Sequence, residues 1–85
     1  MIIEKILNMY GKVLLLMYDN KLSIGNEYLV PLTQLEISKL INSNKTTINN
    51  LFKEYENYGL VIKKNKRYYL TNKAINIAKK LKAIK

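Results

Sequence analysis

The 85-residue chain carries 15 Lys+Arg against 6 Asp+Glu, a formal net charge of +9, and has no Cys, His or Trp. Those absences exclude a disulfide framework, a thiolate metal site and the commonest general base. The six acids, Glu4, Asp19, Glu27, Glu36, Glu54 and Glu56, form no pair suited to acid/base chemistry, and the three glycines form no phosphate-cradling loop. No enzyme and no cofactor are therefore expected. Residues 1–42 are balanced in charge, whereas the whole excess lies in residues 43–85. Isoleucine, asparagine, lysine and tyrosine make up half the chain and share A/T-rich codons, which points to a low-GC source. Codon bias alone has no reason to place all the charge in one half, so the asymmetry points to a polyanion-facing surface.

The chain length fits a single domain, 1–85. Residues 2–18 predict a first helix, with Ile3, Ile6, Leu7, Tyr10, Val13, Leu14 and Met17 spaced by three and four. Leu15 and Leu16 extend the apolar surface nearly round the helix, so it should be buried on most sides. Either a second copy covers it, with Ile3, Leu7, Leu14 and Met17 at a homodimer interface, or its own chain wraps it. Residues 19–28 are polar and read as a loop. Residues 28–30 are a short extended piece, because Pro31 pushes Val30 away from helix.

Thr33-Gln34-Leu35-Glu36 fits a capping box that opens a short second helix ending near Asn42. Asn44 is the candidate N-cap of a third helix, 45–58, with the apolar stripe Ile48, Leu51, Phe52, Tyr55 and Tyr58 and a stop at Gly59. Residues 60–64 and 67–71 are rich in β-formers and flank Asn65-Lys66, which predicts a hairpin over 60–71. Asn65 tolerates a positive φ, whereas Lys66 stands where a primed turn favours glycine. A last helix, 72–84, takes Thr71 as its N-cap and Ala74, Ile77, Ala78, Leu81 and Ile84 as its inner stripe. The fold class is mainly α with a small β-hairpin, in the order α-β-α-α-β-β-α.

The central segment 33–58 has helix-turn-helix spacing. Ile37, Ile41, Ile48 and Leu51 fall where two helices pack, Ser38 is small where they cross, and Asn42 occupies the turn. With LTQLEISKLINSNKTTINNLFKEYENYGLV (32–61) and KKNKRYYLT (63–71), the chain resembles the winged helix-turn-helix family. The hairpin is similar to the wing of MarR-type regulators, and size and element order are also like TubR-type partition adaptors. Ser38 replaces the family's usual alanine, Asn42 its usual glycine, and Ser43 its usual apolar residue.

The resemblance implies a double-stranded DNA partner. The residue chemistry points the same way. Thr46, Asn49, Asn50 and Lys53 lie off the apolar stripe of the third helix and could reach base edges, by amide pairing to adenine, lysine to guanine and threonine to a thymine methyl. Asn44, Lys45, Lys63, Lys64, Lys66 and Arg67 are the candidates for the DNA backbone or minor groove. The blander reading is a solvated helix face and edge-strand charges that block aggregation. Tyr68 and Tyr69 alternate, so one should face the core and one should face out.

The functional expectation is a transcriptional repressor that recognises repeated or palindromic sites. An alternative is a centromere-binding adaptor of plasmid or phage DNA partition, with a filament-forming NTPase as partner. A third is a winged-helix protein-interaction module. No apolar run approaches the ~20 residues of a membrane span, so no membrane partner is expected and the location should be cytoplasmic.

Overall fold

A computed structural model describes the backbone of residues 2–83, with side chains from Met9 onward. The elements are α1 (Ile2–Asn20), β1 (Leu22–Ile24), β2 (Glu27–Val30), α2 (Gln34–Leu40), α3 (Lys45–Asn57), β3 (Val61–Lys64), β4 (Arg67–Leu70) and α4 (Asn72–Ala83). The strands form one antiparallel sheet in the order β1-β2-β4-β3.

The helices start and stop where their end groups can be satisfied. At α2 the Thr33 hydroxyl accepts the Glu36 amide at 3.1 Å, and the Glu36 carboxylate accepts the Thr33 amide at 2.9 Å, which closes the capping box. At α3 the Asn44 side chain accepts the Thr47 amide at 2.7 Å. At α4 the Thr71 hydroxyl accepts the Ala74 amide at 3.3 Å.

Both helices of the central pair end in the same way. The amides of Asn42 and Ser43 donate back to the carbonyls of Lys39 and Ser38. Those of Gly59 and Leu60 donate back to Glu56 and Tyr55. These are two Schellman caps, each with a left-handed residue at its pivot: Asn42 at φ 56° and Gly59 at φ 72°. Ser38 of α2 is 4% exposed, and its hydroxyl donates to the Leu35 carbonyl at 2.6 Å, so the buried oxygen is satisfied.

The core draws on every layer: Val13, Leu14 and Met17 of α1, Val30, Val61 and Leu70 of the sheet, Ile37 of α2, Ile48, Leu51, Phe52 and Tyr55 of α3, and Ala74 and Ile75 of α4. Register puts Val30, Val61, Tyr68 and Leu70 on the sheet face that meets the helices. The Tyr55 ring packs edge-on against Tyr10, with centroids 4.6 Å apart, and its hydroxyl donates to the Tyr10 carbonyl.

Two expectations are corrected. The segment 19–28 is not a loop: α1 runs on to Asn20, and residues 22–30 form a hairpin turned by Gly25-Asn26. Gly25 alone has a positive φ there, 59°, which is the φ pattern of a type II′ turn. Leu14 and Met17 are 1% and 0% exposed within a single chain. Enclosed by their own core, they have no surface to offer a second copy, so they are core residues and not interface residues. Ile3 and Leu7 lie outside the residues whose side chains are described.

Candidate nucleic-acid interface

The third helix buries Ile48, Leu51, Phe52 and Tyr55. Its other side is thereby turned outward. Thr46, Asn50 and Lys53 are exposed, and Asn49 is half-buried. Positions 46, 50 and 53 are four and three apart, so they share one face of α3. The structure therefore brings together the base-edge candidates, with Asn49 at the margin. Asn44 contributes differently, since its carbonyl oxygen is already used in capping α3.

Beside this face the β3–β4 hairpin projects. Its tip adopts positive φ at both central residues, 51° at Asn65 and 65° at Lys66, as a type I′ turn requires. Between the hairpin and the start of the helix pair runs an open groove of about 960 Å³. Lys45, Lys63, Lys66 and Arg67 all line it, along with Thr33, Gln34, Asn65 and Tyr68. No carboxylate is among the described residues that line it. A concave surface lined by one sign of charge concentrates the field on an anion.

Lys64 does not join them. It pairs instead with the Glu27 carboxylate of β2, and its ammonium lies 4.8 Å from the centre of the Tyr69 ring. The Glu27 hydrogen bond raises the Lys64 pKa above its ordinary value. Lys63 and Lys64 thus point to opposite faces, as strand neighbours do, while Arg67, in register with Lys64 beside the hairpin tip, still borders the groove. Tyr68 faces inward, edge-on to Phe52 with centroids 4.5 Å apart. Tyr69 stands in register with Leu29 and Ile62 on the opposite face.

Gln34 is the groove residue that sequence reasoning passed over except as part of the capping box. Its amide donates to the Tyr68 hydroxyl at 2.8 Å, across 34 residues of chain. Nothing in the local sequence signals that bond, because it exists only once β4 lies beside α2. Outside the groove, Lys82 pairs with Asp19, and the ammonium groups of Lys21 and Lys82 stand 3.8 and 5.5 Å from the Tyr18 ring centre. These contacts tie the last helix to the end of α1.

No protein-family model matches the chain, and no curated protein matches it by sequence. Solved structures do match. MepR, a transcription regulator of the Staphylococcus aureus multidrug efflux pump MepA, has a TM-score of 0.71 at 25% identity, over 91% of this chain and 54% of its own. The reduced CO-sensing protein from R. rubrum has a TM-score of 0.75 at 20% identity, over 93% of this chain and 36% of its own. Reduced CprK without ligand has a TM-score of 0.64 at 19% identity, over 86% of this chain and 37% of its own. The chain thus spans about half of MepR and little more than a third of the other two. The capped helix pair, the projecting hairpin and these likenesses together give the chain the winged helix-turn-helix fold.

Proposed function

We propose that the chain binds double-stranded DNA and acts as a transcription regulator, most simply a repressor that occludes its site. The observation that carries this reading is the exposed polar face of α3 lying beside a groove lined by four cations. In this reading Thr46, Asn50 and Lys53, with Asn49 at the margin, meet base edges in a major groove. Lys45, Lys63, Lys66 and Arg67 hold the backbone and supply most of the affinity. The likeness to MepR, itself described as a transcription regulator, supports the same direction.

A homodimer would present two such faces to repeated half-sites about one helical turn apart. The N-terminal half of α1, which holds Ile3 and Leu7, is the proposed contact, and sedimentation of the free protein tests it. An adaptor that tethers repeated DNA to a filament-forming NTPase would use the same surface. A footprint over one palindrome marks the operator duty, and a long protected array marks the adaptor.

The deciding experiment is binding to a preferred and a random duplex. Lys53→Ala and Asn50→Ala should each cost about 1–3 kcal/mol on the preferred site alone. Equal losses on both duplexes would overturn the assignment of α3 as the reading helix.

A further inference from the structure

We propose that the groove between the hairpin and the helix pair seats a backbone phosphate of the bound duplex, with the Tyr68 hydroxyl as a neutral donor aimed by Gln34. The proposal rests on the DNA-binding reading and adds to it a residue and a mode of contact.

The phenol is fixed in three ways. Tyr68 sits on β4 in register with Val30 of β2 and Lys63 of β3. The edge-on packing against Phe52, at an interplanar angle of 65°, sets the ring plane. The amide of Gln34 then donates to the hydroxyl oxygen at 2.8 Å. A tyrosine hydroxyl that accepts one hydrogen bond still has its own proton to give. That proton has to stay near the ring plane, and Tyr68 is part of the groove lining.

The surroundings select an anion. Lys45, Lys63, Lys66 and Arg67 share the groove with this donor, and the Lys63 ammonium lies 5.6 Å from the Tyr68 ring centre. At about 960 Å³ the groove is open and far larger than one free phosphate ion, so it suits a stretch of phosphodiester backbone. The cations attract the strand, while a rigid neutral donor fixes where one phosphate rests. Gln34 touches no phosphate in this arrangement and is a positioning residue.

A neutral donor differs measurably from a cation, because it displaces no counterion. Tyr68→Phe should weaken binding roughly tenfold on preferred and random duplex alike, the scale of a hydrogen bond to a charged group. The log–log salt slope should stay unchanged, whereas Arg67→Ala should make it shallower by about 0.9. Gln34→Leu should weaken binding in the same way and add nothing in the double variant. Phosphates replaced one at a time by methylphosphonate should reveal one position that costs the wild type about tenfold and Tyr68→Phe nothing further. A melting curve for each variant checks that it is folded. Binding by Tyr68→Phe and Gln34→Leu within twofold of wild type, with Arg67→Ala still weakened, overturns the phosphate seat and leaves the DNA reading standing. A wild-type chain that binds no duplex at all overturns the DNA reading itself.

Discussion

The sheet holds two hairpins of similar length whose tips follow opposite rules. The β1–β2 tip is Gly25-Asn26, and only the glycine takes a positive φ, where the lack of a β carbon removes the penalty. The β3–β4 tip is Asn65-Lys66, and both residues are left-handed. Lysine in that conformation costs roughly 1–2 kcal/mol, and it stands in a run of like charges. The first tip has the residue its backbone requires. The second keeps a cation where its backbone would favour glycine. The proposed contact with DNA accounts for strain retained at an exposed basic tip beside a groove of matching charge. The first hairpin also supplies Glu27, which occupies Lys64 and leaves the other wing cations to the groove.

The contrast can be broken at either tip. The largest expected effect comes from replacing Lys63, Lys66 and Arg67 together with alanine. Duplex affinity should fall by more than about a hundredfold, and the salt slope should become shallower by about 2.7, if each cation meets one phosphate. Loss of affinity with no change of slope would separate the wing from the DNA. Next comes Gly25→Val at the other tip, which should lower unfolding free energy in urea by roughly 1–2 kcal/mol and leave the salt slope untouched. A change in slope would mean that the first hairpin also meets DNA. The smallest effect is Lys66→Gly, expected to raise stability by roughly 0.4–1 kcal/mol while making the slope shallower by about 0.9. Lower stability would show that the left-handed lysine carries no strain, and the contrast between the tips would collapse.

Much of this architecture was legible in local chemistry. Thr33 with Glu36, Asn44 before α3 and Gly59 after it each announce a helix end, because caps are satisfied by neighbours in sequence. The first hairpin was not legible as such. Leu22 and Ile24 alternate for only three residues, too short a pattern to distinguish from a loop, and β1 becomes a strand through its pairing with β2. Gly25-Asn26 was nevertheless a two-residue turn signal. Helical spacing correctly marked Leu14 and Met17 as buried, but periodicity does not say whether the cover comes from the same chain. The basic run 63–67 likewise foretold charge and not facing. Which of Lys63 and Lys64 meets the groove depends on register, and so does the choice between Tyr68 and Tyr69. The pairing of Gln34 with Tyr68 had no local trace at all.

The Tyr55 hydroxyl links proton binding to the packing of α3. Burial, reinforced by the neighbouring Tyr10, pushes this phenol far above its ordinary value of 10.0. The Tyr10 phenol is raised as well, by burial first and then by the Glu54 charge. The unfolded chain releases the Tyr55 proton near pH 10, whereas the folded chain holds it. Stability from this group is therefore complete below about pH 10 and is lost as the pH rises from there toward the folded-state value. Urea midpoints followed into alkali should decline in wild type and decline less in Tyr55→Phe. Because Tyr55 belongs to α3 and its acceptor to α1, one buried proton ties the helix proposed to read DNA to the helix proposed to pair two subunits, and the cost of removing that proton is felt by the whole fold.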